Sequence, residues 1–205
     1  MENEKLRNTL KTMFHLQTQI HLTIESLNEI ERNQKILENI KLDNFFDKSF
    51  NLKRSAGAIL ANYSIILFCS FLDEYHNFFN VYELPEVDKE IILKVKKKNK
   101  AGIKRINKWS GLLAFRNQLL VHNFRIKNES FFSKENIEYK IPNTLSEKNL
   151  LSGIIYIICL NIGEAFPMVI SSLNSRDRMV DNLNLIGEEI DNEMELELLL
   201  NEMKY

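Results

Sequence analysis

With 205 residues, 44% of them hydrophobic and 27% charged, the chain can bury a core of its own without disulfides or metals, in the composition of a soluble globular protein. Six glycines and three prolines are too few for the many tight turns of a β-sandwich or barrel, so helices are favoured. The net charge of −1 conceals an asymmetry: residues 89–127 hold twelve Lys or Arg against Glu90, and residues 186–205 hold seven acids against Lys204.

Leu6, Met13, Ile20 and Leu27 recur every seven residues, with Leu10 and Ile24 in the alternate slots and Gln17 and Glu31 interrupting them. The spacing predicts one long helix over about 4–41, serving as the outer helix of a bundle in preference to an isolated coiled coil. A core helix follows over about 55–82, its apolar face carrying Ile59, Leu60, Tyr63, Ile66, Leu67, Phe71, Tyr75 and Phe78. Leu84-Pro85 ends it. A shorter helix, about 86–98, turns Val87, Ile91, Ile92 and Val95 inward and stops at a solvated break through Lys100 and Gly102. The next runs from about 103 to 122, burying Ile106, Trp109, Leu112, Leu113, Leu119 and Leu120.

Residues 123–143 lose helical periodicity and read as a long loop with room for a short hairpin, a length that in a compact domain points to function. Thr144 and Glu147 have capping-box spacing ahead of an apolar helix over about 147–173, which Pro167 should kink. An acidic amphipathic helix, about 178–203, carries Ile186, Ile190, Met194 and Leu198 on one side. The fold expected is a single all-α domain over 1–205, an up-and-down bundle of five or six helices. Its parts are a long N-terminal helix in 1–50, a core in 51–175 and the acidic helix in 176–205.

Cys69 and Cys159 lie in apolar runs and read as reduced, buried thiols, which places the protein in the cytoplasm. The polar start MENEKLRNTL and the absence of an unbroken apolar run near 18 residues argue against a membrane. Metal motifs are missing: Asp73 and His76 alone have the spacing that a di-iron bundle needs twice. Glycine-rich phosphate loops and a Ser nucleophile elbow are missing too. Neither a metal nor another cofactor is expected.

One segment offers chemistry. Phe115-Arg116-Asn117-Gln118-Leu119-Leu120-Val121-His122-Asn123-Phe124 places a guanidinium, an amide and an imidazole within two helical turns, in the most basic part of the chain. Metal-independent RNA cleavage needs a base for the ribose 2′-hydroxyl and a cation for the charge that grows on the phosphate. Neutral His suits the first task and Arg the second. Six residues along a straight α-helix turn through roughly 120°, so Arg116 and His122 share a site only if the helix loosens or the Arg side chain bends round.

Arg116-Asn117-(x)4-His122 resembles the Arg-polar-(x)3–5-His signature of HEPN domains, all-helical bundles found in prokaryotic toxins and phage-defence ribonucleases. The layout is similar as well: the acidic-aromatic patch Phe71-Leu72-Asp73-Glu74-Tyr75 precedes the motif helix, and the resemblance spans about 50–175. It implies a HEPN-like fold and metal-independent endoribonuclease action on RNA, in a homodimer whose two motifs meet. It assigns Arg116 to the phosphate, Asn117 to its support and His122 to acid/base chemistry.

Around that motif, His76 is a candidate second acid/base or a structural histidine, and Glu74 a candidate orienting carboxylate for Arg116 or His122. Lys96, Lys97, Lys98, Lys100, Lys104 and Arg105 are candidates to track RNA phosphates, or simply a solvated basic face. Two other readings compete. One is a non-catalytic HEPN-like binding partner, such as an antitoxin, immunity or regulatory component. The other is a helical dimerisation module built on the N-terminal heptads.

Overall fold

The computed structural model describes residues 4–42, 51–80, 84–121, 125–126, 129–130, 138–171 and 194. It is an all-α helical bundle. Helices α1 (Glu4–Arg32), α3 (Leu52–Asp73), α4 (Glu86–Ile106) and α6 (Leu145–Ala165) are long. The short helices are α2 (Gln34–Asn39), α5 (Leu112–Phe115) and α7 (Pro167–Ser171), and α3 and α5 each run on into a π-helical turn, Glu74–Phe78 and Arg116–Val121. Two-residue strands β1 (Arg125–Ile126) and β2 (Glu129–Ser130) pair antiparallel, within the 123–143 segment read as a long loop with room for a short hairpin.

The chain divides into two compact units, Met1–Leu173 and Asn174–Tyr205. Of the second unit only Met194 is described, helical and exposed, so the acidic helix otherwise lies outside the described residues.

The heptad residues Leu6, Leu10, Met13, Ile20, Ile24 and Leu27 are all buried, packing α1 against α3 and α6. Asn28 and Asn149 exchange side-chain hydrogen bonds of 3.2 and 3.1 Å across the α1–α6 seam. The first helix is not continuous to 41. It breaks at Asn33, whose backbone N–H and side-chain Nδ2 both donate to Glu29 O, at 3.0 and 2.9 Å.

Along α3 the buried seam is Ile65, Leu67, Phe68, Cys69, Phe71 and Leu72, followed by Tyr75, whereas Ile59, Tyr63 and Phe78 are exposed. The helix is apolar all round, so periodicity alone does not select the face that its neighbours cover. Leu52–Phe78 and Leu145–Ala165 are in fact long and apolar enough by composition to cross a membrane, with mean hydropathies of 1.7 and 1.2. Interspersed Ser, Asn and Gly kept either from standing out as an unbroken apolar run. Here both line the bundle core.

Helix α4 does not stop at Lys98; it continues through Gly102 to Ile106. Gly102 is not a break but a point of close approach, because a Cβ there would lie 3.1 Å from Ile154 Cγ2 of α6. The two helices run antiparallel, with Asn99 accepting from Asn161 at 2.7 Å and Lys98 paired to Glu164 at 2.7 Å. Val87 is 72% exposed because this register carries it beyond the end of α6. The chain turns instead at Asn107–Gly111, so the expected helix over 103–122 is the end of α4, a turn, and α5 with its π turn. Ile106 and Leu112 are buried and Trp109 partly so, but Leu113 is exposed. The side chains of Leu119 and Leu120 lie outside the described residues.

Thr144 caps α6 in a full capping box with Glu147, as the sequence predicts. Pro167 interrupts the helix: α6 ends at Ala165 and α7 restarts at Pro167. Cys69 and Cys159 are free and buried, and burial pushes both thiols up to about 12. They are inert thiols at neutral pH.

Candidate functional site

The motif segment begins where α4 ends. Gly111 donates its N–H to Lys140 O at 3.0 Å, and a Cβ on Gly111 would fall 2.7 Å from Lys140 N. Only glycine lets the 138–142 segment approach this closely. Two further ties hold α5 in place. Cys69 Sγ donates to Leu112 O at 3.6 Å, joining it to α3. Tyr139 sets its ring edge-to-face on Phe115 at 5.4 Å and its hydroxyl donates to Gln118 Oε1 at 2.5 Å.

From this anchored turn Arg116 reaches the end of α3. Its Nη1 donates to Asp73 Oδ2, and its Nε donates to Asn117 Oδ1 at 2.9 Å. The Arg116 side chain is 19% exposed and that of Asp73 40%. The acidic-aromatic patch and the Arg-Asn pair therefore form one site, joined through Asp73 rather than Glu74. Glu74 is half-buried, its carboxylate makes no hydrogen bond or ion pair among the described residues, and burial pushes that carboxyl up. The sequence carried the signal for Asp73 only as membership of the patch; which of two adjacent acids faces the motif depends on where α3 ends.

The helix does loosen after Phe115. Residues Arg116–Val121 follow the wider π pattern, as do Glu74–Phe78 directly after Asp73. Single π turns of this kind are frequent at functional sites. His122, the candidate acid/base, lies outside the described residues.

His76 is exposed, its ring edge-on to Tyr75 at 5.4 Å, and its imidazole makes no hydrogen bond among the described residues. Burial against its neighbours and the positive charge of Lys96 lower its pKa, with Asp73 opposing. Lys96 is half-buried, its ammonium 5.5 Å from the Tyr75 ring centre and 5.8 Å from that of Phe79. Burial lowers its pKa as well. Lys98 is held by Glu164. Lys97, Lys100, Lys104 and Arg105 are exposed, with Lys97 and Lys104 on the side of α4 opposite the seam of Ile92, Val95, Asn99 and Ile106. The six basic candidates thus divide: four are exposed with no ion pair among the described residues, one lies over rings and one is paired.

Chemically, Asp73 and Asn117 fix a guanidinium in orientation while Asn117 stays exposed beside it, an arrangement suited to holding an oxyanion in a set direction. Among the described residues no group of three or more His, Cys, Asp or Glu could hold a metal ion. Comparison with protein-family models, curated proteins and solved structures finds no match to this chain.

Proposed function

We propose that the protein is a metal-independent endoribonuclease of HEPN type, acting as a toxin or phage-defence effector in the cytoplasm. The observation that carries this reading is the Asp73–Arg116–Asn117 arrangement, in which two patches 43 residues apart in sequence converge on one oriented guanidinium. His122 takes the proton of the ribose 2′-hydroxyl. The O2′–P bond forms, the P–O5′ bond breaks, and a 2′,3′-cyclic phosphate is left. Arg116 stabilises the charge on the phosphoryl oxygens. The departing O5′ needs a proton, which the second histidine of a homodimer supplies.

The test is cleavage of a single-stranded RNA in the presence of EDTA. His122→Ala should lower the rate ~10²–10⁴-fold, the usual worth of a general acid/base. Arg116→Lys should also fail, because an ammonium keeps the charge but loses the fork. Chelation that stops the wild-type protein, or His122→Ala cutting at the wild-type rate, overturns the reading. A second reading, a non-catalytic partner of the same shape, is favoured by one fact: Nε and Nη1 of Arg116 are already engaged within the chain. Absence of cleavage in all variants, with tight binding to another protein, would select it.

A further inference from the structure

A cavity of about 510 Å³ opens between the second half of α1, α2, the first turns of α3 and the beginning of α6, and it shares no residue with the Asp73–Arg116 site. Its size lies within the range of small-molecule sites, about 300–1,000 Å³. Leu27 and Ile30 of α1 and Leu145 of α6 give it apolar walls. The α3 side is Gly57, Ala58 and Ala61, neighbours on one helix face. These small side chains leave the seam unfilled: a Cβ on Gly57 would meet no atom within 4 Å.

Lys148 also lines the cavity and is 5% exposed. Its Nζ donates to Pro142 O at 2.7 Å and to Asn143 O at 3.0 Å, both neutral carbonyls. No carboxylate lies within ion-pair distance of it among the described residues, whereas Lys53, at the same cavity, has Glu38 at 3.0 Å and Glu31 at 3.8 Å. Buried charges in proteins are nearly always paired. An ammonium also has three donors, and among the described residues only two are used here. Burial lowers the Lys148 pKa, and the negative charge of Glu147 opposes that shift without cancelling it.

We propose that this cavity is a binding site for a small amphipathic anion, a carboxylate on an apolar chain. The carboxylate accepts the remaining Lys148 N–H and supplies a counter-charge at ion-pair distance, and the chain lies against Leu27, Ile30, Ala58 and Ala61. The inference is independent of the ribonuclease reading and tests a different part of the molecule.

The experiment is calorimetric titration of the full chain with hexanoate, octanoate and decanoate, and with decan-1-ol as the uncharged control. Affinity should rise about fourfold per added methylene until the cavity is filled, from the transfer free energy of a buried CH₂. Decanoate should bind at least tenfold tighter than decan-1-ol. Lys148→Met, which keeps the side-chain volume, should erase that preference. Gly57→Leu fills the open space and removes a helix-interior glycine, so it should keep the fold while abolishing binding of both ligands. Circular dichroism and thermal melts of each variant establish that the bundle is intact. Equal affinity for acid and alcohol in the wild type, undiminished binding by Gly57→Leu, or no binding of decanoate up to about 1 mM would overturn the assignment.

Discussion

Asp73 accepts a hydrogen bond from Arg116 Nη1 and so ties the last residue of α3 to the first residue of the π turn that follows α5. This pair decides where the guanidinium points, because the remaining restraint is the neighbouring Asn117 amide.

Asp73→Asn keeps the shape of the pair and removes its charge. With the two side chains 19% and 40% exposed, the loss should be modest, about 1–2 kcal/mol by chemical denaturation. Cleavage of RNA should fall through kcat more than KM, since a misdirected fork matters most as charge develops. Unchanged kinetics in a folded Asp73→Asn protein would mean that the pair serves the bundle alone.

The divided lysines make a prediction about salt. Replacing Lys97, Lys100 and Lys104 by Gln should flatten the dependence of RNA affinity on salt, by about 0.7 in log–log slope for each phosphate of a single strand that is no longer neutralised. Lys96→Gln should leave the slope as it was, because that ammonium lies over Tyr75 and Phe79. Filter binding across a salt series checks both, and a slope altered only by Lys96→Gln would place the RNA on the other side of α4.

Gly111→Ala should destabilise the bundle by about 1–3 kcal/mol, since the added carbon would press on the Lys140 backbone rather than on a yielding side chain. For a chain of this size each kcal/mol lowers Tm by about 2–4 °C. A melt unchanged from wild type would show that the 138–142 segment moves aside freely.

The acid limb of stability should report on the α6 cap. The Thr144 backbone N–H, with the Trp109 indole, holds the Glu147 carboxyl below the usual carboxylate range. A depressed folded-state value adds stability above the unfolded value near 4.5, and that stability is lost as pH falls through the folded value. Glu147→Gln should therefore flatten the decline on acidification, and Thr144→Ala should cost about 1 kcal/mol at neutral pH. An acid limb that is the same in wild type and Glu147→Gln would refute the assignment.

Much of the helix inventory was legible because it rests on local rules. Heptad spacing marked the α1 seam from Leu6 to Leu27, and Thr144 with Glu147 announced the start of α6. What the sequence hid depends on neighbours. Gly102 looks like a break until α6 is placed against it, and Gly111 looks unremarkable until Lys140 arrives from 29 residues away. The apolar helix α3 offered no preferred face, so Ile59 and Tyr63 were misplaced. At the site, the Arg-Asn pair was visible as a motif, but the choice of Asp73 over Glu74 turns on one residue of helix phase. The basic stretch read as a uniform run, and only packing distinguished Lys96 and Lys98 from their neighbours.

In hydrogen-bond register, a π turn is an α-helix that has accepted one surplus residue. Deleting any one residue within 116–121 would offer the segment an ordinary α-helical ladder and swing everything after it through about 100°. A deletion within 117–121 would also shorten the interval between Arg116 and His122 by one. Point substitutions at the exposed Asn117 leave that count intact. The segment is thus built to accept changes of side chain more readily than changes of length, and a scan of single deletions against single alanines across 112–121 would reveal that difference directly.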